Sequence, residues 1–248
     1  MQAKKKIKQT DAIFAKLKIV NATADEMTTV LRASWDAKAT VKIGDFSRGG
    51  KNRLQRKAAD HDFKPEGILN PLGIFLPRWD DLYLYFTASP VTSDLAVDVL
   101  DRWWQTMRVR FPRVKSLVLN QDNGPEVHSR RTQFMKRMVQ FAIKNRLLVE
   151  LAYYPPYHSK YNAIEHCWGI LEKHWNGELL EDVETVLGFA RTMTWNGRRP
   201  AVELVPGTYS KGVRLKPKEM ETVESHVTRD GTLGKWFLKI DGPKLALG

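Results

Sequence analysis

The stretch that decides the fold runs from Leu151 to Trp175 and reads LAYYPPYHSKYNAIEHCWGILEKHW. Its first residues predict a β-strand, the Pro-Pro pair predicts a turn, and the remainder predicts an amphipathic helix. The apolar face of this helix follows the spacing i, i+3, i+4, i+7 and i+11 and consists of Ile164, Cys167, Trp168, Leu171 and Trp175. Glu165 lies just off that face, in the first turn after Asn162, a candidate N-cap. A carboxylate there can bind a metal ion, or it can simply favour the helix dipole.

Two further acids occupy defined places on predicted strands. Residues 116–122 read SLVLNQD and precede Asn-Gly, which predicts a buried strand with Asp122 at its carboxyl end. Residues 30–38, VLRASWDAK, and residues 40–46, TVKIGDF, predict two neighbouring strands with Asp36 near the end of the first. The gaps between the three acids are too long for a local motif, so any shared site must be assembled by the fold.

A cluster of three carboxylates implies a particular chemistry. Neighbouring carboxylates repel one another, so such a cluster must raise pKa values or bind cations. Oxygen ligands favour Mg²⁺ or Mn²⁺, and two such ions held about 3.5–4 Å apart can clamp the attacking and leaving oxygens of a phosphodiester. This chemistry requires few other protein groups, which suits a sequence with no convincing Ser-His-Asp set and no Gly-rich phosphate loop.

The order of the predicted elements indicates the fold class. After the first strands come GIFLP at 73–77, DLYLYFT at 81–87, a helix from about Ser93, the Asp122 strand, a helix over 132–145 and a strand over 148–154. Strands followed by alternating helices and strands predict an α/β protein with a mixed sheet flanked by helices on both faces. This is the order of a ribonuclease-H-like domain, in which the first and fourth strands are neighbours and the last helix packs across their ends.

Three motifs carry a resemblance to a known family. They are SWDAKATVKIGDFSRGGKNR at 34–53, LNQDNGPEVHSRR at 119–131 and YYPPYHSKYNAIEHCWGIL at 153–171, and HWNG at 174–177 and GTYSKGVRL at 207–215 support them. The chain resembles the catalytic domain of bacterial DDE insertion-sequence transposases, most closely the ISAzo-thirteen family, with Tc/mariner-like transposases as more distant relatives. The third motif is the most specific, and the resemblance covers roughly residues 28 to 240.

The resemblance implies a function and its residues. Asp36, Asp122 and Glu165 would form the catalytic triad and hold Mg²⁺ or Mn²⁺, as two ions. The activity would be cleavage of DNA at the ends of an element and strand transfer of those ends into target DNA. The implied partner is double-stranded DNA, with the protein as a homo-oligomer on it. Two alternatives stay open: a transposase-derived DNA-binding protein without catalysis, and a ribonuclease-H-like nuclease.

The resemblance also suggests an organisation in three parts. We expect a basic N-terminal extension over 1–28, the ribonuclease-H-like DDE catalytic domain over 29–198 and a C-terminal extension over 199–248. Longer family members carry a helix-turn-helix region before the catalytic domain, and only 35 residues precede Asp36 here. We therefore expect this chain to lack independent recognition of element ends.

Charge and composition agree with a nucleic-acid partner. The 248 residues include 40 Lys and Arg against 28 Asp and Glu, a net charge of +12 that suits a polyanion. The candidate DNA-binding residues are Arg48, Lys51, Arg53, Arg56 and Lys57 in a basic loop, Arg130 and Arg131 before a helix, and His158 and Lys160 before the Glu165 helix. Two of these groups have a structural alternative: a solvated helix face for Arg130 and Arg131, and a loop role for His158 and Lys160.

Other features narrow the possibilities. The single cysteine, Cys167, rules out an internal disulfide, and adjacent His166 and Cys167 point in different directions, which disfavours zinc. No signal peptide and no apolar run near 18 residues are present, so we expect a cytoplasmic protein that is not bound to a membrane. The resemblance further implies a bacterial protein associated with the nucleoid. The resemblance favours Asp36 as the first metal ligand. Three other acids are alternatives for this role: Asp45, Asp60 and Asp62. Alternation along the strand predicts that the side chain of Trp35 points to the opposite face from Asp36.

Overall fold

A computed structural model describes residues 6–46 and 65–245 of the chain. The helices are α1 (Thr10–Glu26), α2 (Ser93–Arg110), α3 (Thr132–Asn145), α4 (Ala163–His174), α5 (Val183–Thr192), α6 (Pro217–Glu224) and α7 (Gly242–Leu245), and a 3₁₀ turn spans Ser159–Tyr161. The strands are β1 (Val30–Ala37), β2 (Val41–Ile43), β3 (Gly67–Leu76), β4 (Asp81–Thr87), β5 (Ser116–Gln121), β6 (Leu148–Tyr153), β7 (Ala201–Leu204), β8 (Val227–Arg229) and β9 (Phe237–Asp241).

The described strands form one mixed sheet in the order β7-β4-β3-β1-β5-β6-β9-β8, and β2 pairs with β3 off this path. Strands β1, β5 and β6 run parallel, whereas β3 is antiparallel to both β1 and β4. If short β2 is set aside, β1 and β5 are the first and fourth strands, and they lie side by side. The predicted ribonuclease-H-like α/β fold with helices on the sheet is therefore confirmed.

Helices cover both faces of the sheet. Side chains alternate between the two faces along each strand, so both faces carry apolar side chains that a helix must bury. On one face, Trp35 of β1 stacks on Phe134 of α3 at a ring-centroid distance of 6.3 Å. On the other face, the apolar side of α4 packs with that of α5 in a second buried cluster that contains Ile164 and Trp168. The predicted orientation of Trp35 is thus observed, and Asp36, the next residue, lies on the α4 face.

The structure differs from the sequence expectations in β3 and near the N-terminus. Strand β3 begins at Gly67, well before the predicted start at residue 73, because Asn70 and Pro71 have the composition of a turn although they lie inside a strand. Helix α1 was not anticipated within residues 1–28. It packs on the sheet, where Asp25 receives two hydrogen bonds from the Arg32 guanidinium, at 2.9 and 2.6 Å.

The C-terminal strands also join the sheet, with β7 beside β4 and β9 beside β6. The division at residues 28 and 198 stays a prediction. Among the described residues, no helix has the length and apolar character needed to cross a membrane.

Gly73 lets α4 approach the sheet. It pairs with Asp36 across β1 and β3, and a Cβ built there would lie 2.6 Å from Trp168 and 2.9 Å from Ile164, both on α4. We expect Gly73→Ala to destabilise the protein by roughly 1–3 kcal/mol, because the added methyl must displace α4. Denaturant unfolding measures the change.

Gly169 provides a matched control for this substitution. It lies inside α4, and a Cβ there would meet no described atom within 4 Å beyond the adjacent residues and backbone of its own helix. Gly169→Ala should leave stability unchanged or raise it by about 0.5–1 kcal/mol, since glycine weakens a helix interior. Equal effects of the two substitutions would show that α4 does not press on Gly73.

Candidate active site

The register of two parallel strands brings Asp36 and Asp122 to one edge of the sheet. Ser34 of β1 pairs with Asn120 of β5. Asp36 lies two residues after Ser34, and Asp122 lies two residues after Asn120. Because side chains alternate along a strand, both carboxylates lie on the same face, at the carboxyl-terminal edge of the sheet. Asp36 still pairs with Gly73, while Asp122 follows the last residue of β5 directly.

A buried polar network fixes the start of α4 to β1. The hydroxyl of Ser34 donates to the side-chain oxygen of Asn162 at 2.6 Å and accepts from the backbone N–H of Ile164 at 2.9 Å. The amide of Asn162 donates to the carbonyl of Trp35 at 3.2 Å. These bonds place Glu165, in the first turn of α4, above the strand that carries Asp36.

The network corrects the expected role of Asn162. This residue lies at the N-cap position of α4, but its side chain makes no capping hydrogen bond. Ser34 of β1 instead satisfies the free N–H of Ile164 from the neighbouring strand. A cap supplied by a residue so far away in the chain leaves no local signal, which is why the sequence did not reveal Ser34.

The electrostatics of the site show that the three carboxylates interact. Burial is the largest cause that raises the pKa of Asp36, and the nearby carboxylates of Asp122 and Glu165 add to it, so that this pKa reaches about 8. Burial also raises the pKa of Asp122, whereas the backbone N–H of Gly124, which donates to its carboxylate at 3.1 Å, lowers it. The fold therefore gathers the three acids into one carboxylate cluster.

The donor chemistry of this cluster fits a hard divalent cation. Carboxylate oxygens are preferred ligands of Mg²⁺ and Mn²⁺, and a cation between them removes the repulsion that raises the pKa of Asp36. In the described part of the chain, no three His, Cys, Asp or Glu side chains already stand in coordination geometry. Asp36 and Glu165 are hydrogen-bonded to each other instead.

The competing acids lie elsewhere or outside the described residues. Asp45 follows β2 and its side chain is exposed. Asp60 and Asp62 lie outside the described residues, as do Arg48, Lys51, Arg53, Arg56 and Lys57 of the basic loop. The assignment of that loop to DNA binding stays a prediction.

The remaining candidate DNA-binding residues differ in their availability. The side chain of Arg131 is 12% exposed and forms an ion pair with Glu126 at 3.1 Å, whereas Arg130 is exposed. His158 is buried, and its Nδ1 lies 2.7 Å from the carbonyl of Pro156. These contacts favour the structural alternatives for Arg131 and His158.

Lys160 keeps a more open position. Its side chain is exposed, and its amine lies 5.3 Å from the ring centre of Tyr161. Lys160 and Arg130 are therefore the better placed of the described candidates for contact with DNA.

The mixed sheet and its flanking helices define a ribonuclease-H-like protein, and the carboxylate cluster lies at one edge of its sheet. Comparison with protein families agrees. The chain belongs to the family described as the Rhodopirellula transposase DDE domain, whose model matches residues 1–242. The predicted family is thus confirmed, and the chain is a transposase DDE domain. No curated protein matches the sequence significantly.

Solved structures of the Mos1 transposase are similar to this chain. Its paired-end complex with the left transposon end has a TM-score of 0.48 at 10% sequence identity, and its mariner paired-end complex with Mn has a TM-score of 0.47 at 9%. The similarity covers 75% of this chain and 54% and 55% of the respective Mos1 chains. The chain thus spans about half the length of these relatives.

Ser34 and Asn162 allow a test of how the site is held. We expect Ser34→Ala and Asn162→Ala each to cost about 1–3 kcal/mol of stability, because each leaves a buried partner without its hydrogen bond. The double substitution should cost less than the sum, since the two side chains form one network. Denaturant unfolding of the four proteins measures the coupling, and strictly additive losses would contradict it.

Proposed function

We propose that this chain is the catalytic domain of a DNA transposase that cleaves element ends and joins them to target DNA, with Asp36, Asp122 and Glu165 as its metal-binding triad. The observation that carries the proposal is the carboxylate cluster, in which Asp36 interacts with Asp122 and Glu165, the acids that the resemblance implies. Membership of the transposase DDE family supplies the reaction class. The net charge of +12 supports double-stranded DNA as the partner.

The proposed roles follow from the positions of the residues. Asp36 and Asp122 would hold divalent cations from the sheet edge, and Glu165 would do so from α4. Two Mg²⁺ or Mn²⁺ ions bound there would activate the attacking oxygen and stabilise the leaving oxygen of a phosphodiester. The buried network of Ser34 and Asn162 keeps the acid on α4 in register with the acids on the strands.

The carboxylate cluster also weighs against the alternative of a DNA-binding protein without catalysis. A binding surface for a polyanion gains nothing from three interacting carboxylates, which repel phosphate and require protonation or a cation. A ribonuclease-H-like nuclease would use the same acids, but it would release cut DNA without joining it.

An assay of DNA products tests the proposal. The full chain is incubated with a duplex that carries the element's own end and with a target duplex, with Mg²⁺, with Mn²⁺ and with chelator. Metal-dependent cutting together with a joined end–target product is the expected result. Cutting without joining would favour the nuclease, and binding without any metal-dependent cutting would favour the non-catalytic alternative.

A further inference from the structure

The C-terminal motif GTYSKGVRL is attached to the catalytic domain on both sides of its lysine. The backbone N–H of Tyr209 donates to the hydroxyl of Ser89 at 2.8 Å, and its own hydroxyl donates to Asp98 of α2 at 3.0 Å. The backbone N–H of Leu215 donates to the hydroxyl of Thr132 at the start of α3, at 3.1 Å. The residues between these two attachments, here called the strap, are therefore held across the neighbouring helices.

The strap places a lysine, Lys211, at the candidate active site. Lys211 lies in the middle of the strap and lines a cavity of about 450 Å³ together with Asp36 and Asp122. The next residue, Gly212, has a φ of +79°, a left-handed conformation that glycine adopts without strain. A residue far from Asp36 and Asp122 in sequence thus shares their cavity.

The other charged residues of this cavity, beside the two acids, already have partners. The amine of Lys38 lies 2.5 Å from Glu172, and its side chain is only 11% exposed. Glu126 forms an ion pair with Arg131. Lys211, in contrast, is exposed and forms no ion pair with any of the described residues. Its positive charge is available to a ligand.

We propose that Lys211 binds a DNA phosphate next to the bond that is cut, an inference that rests on the proposed function. A phosphodiester that enters this cavity is repelled by the negative charges of Asp36 and Asp122. The positively charged amine of Lys211 at the cavity wall offsets part of this repulsion. Because lysine acts as a point charge, the contact positions the DNA and carries no sequence preference. Lys211 is thus a substrate-positioning residue.

Salt dependence of DNA binding tests this role without requiring cleavage. Affinity of the full chain for a duplex with the element's end is measured over a range of NaCl concentrations. Lys211→Ala should flatten the log–log slope by about 0.9, the contribution of one neutralised phosphate, whereas Lys211→Arg should keep the slope. Lys218→Ala is the matched control, because Lys218 is an exposed lysine on α6 outside the cavity lining. A slope that Lys211→Ala leaves at the wild-type value would overturn the inference.

Cleavage by the same proteins separates this inference from the proposed function. If wild-type protein cuts DNA, Lys211→Ala should lower kcat/KM by roughly tenfold or more through misplacement of the substrate, and Lys211→Arg should restore most of it. A flattened slope with no cutting by wild-type protein would support the Lys211 contact while refuting the catalytic proposal. Cutting with unchanged slope and unchanged kcat/KM in Lys211→Ala would refute the Lys211 contact alone.

Discussion

Glu165→Gln is expected to lower metal-dependent DNA cleavage by roughly 10³-fold or more while the fold survives. Glutamine keeps the volume of the side chain and removes the charge that a divalent cation requires. The substitution also removes one of the carboxylates that raise the pKa of Asp36, so repulsion within the cluster falls and stability should not decrease. Single-turnover cleavage and thermal unfolding measure the two effects, and Asp122→Asn should reduce cleavage to a similar extent.

The control for this prediction is another glutamate, distant from the cluster. The side chain of Glu184 on α5 is 76% exposed and forms a surface ion pair with Arg191 at 3.4 Å, so Glu184→Gln should cleave at the wild-type rate. If Glu165→Gln also cleaves at that rate, another acid must hold the metal. Glu172 lies on the same helix, but it already contacts Lys38 and accepts a hydrogen bond from Trp175 at 2.9 Å.

The sequence predicted the parts of the site that depend on local patterns. Asp122 follows an apolar run and precedes Asn-Gly, and Glu165 borders an apolar helical stripe, so each could be located on its element without coordinates. Alternation along β1 was enough to separate Trp35 from Asp36. The catalytic assignment of the three acids came from the family resemblance, because no local rule says that distant carboxylates meet.

The features that the sequence could not supply all depend on contacts between distant residues. Ser34 of β1 accepts a hydrogen bond from the first turn of α4. Gly73 lies so close to α4 that no larger side chain fits there without moving the helix. Lys211 reaches the cavity only because Tyr209 and Leu215 attach the strap to α2 and α3. No local pattern around these residues indicates their contacts, so only the assembled sheet and helices show them.

The pH dependence of stability offers a second test with a large expected effect. Asp36 has a pKa of about 8 in the folded protein against an ordinary value of 3.8, so the folded state binds the proton more tightly than the unfolded chain does. In the absence of divalent metal, the free energy of unfolding should therefore fall as pH rises from about 4 to about 8, and the Asp36 contribution should be constant above that. The free energy of unfolding should fall by a few kcal/mol, on the order of 1.4 kcal/mol for each pH unit between the two pKa values. Each kcal/mol lowers Tm by roughly 2–4 °C.

Divalent metal should reverse this loss, because cations bind the ionised carboxylates of the folded cluster and not the scattered acids of the unfolded chain. Addition of Mg²⁺ or Mn²⁺ should raise Tm more at pH 8 than at pH 5, and Asp36→Asn should remove most of both the pH slope and the metal effect. Asp45→Asn is the matched control, since Asp45 is exposed and lies outside the cluster, and it should keep both effects. Thermal unfolding over a pH series measures both effects. If metal does not raise the Tm of the wild-type protein at pH 5 or at pH 8, the three acids do not form a cation site.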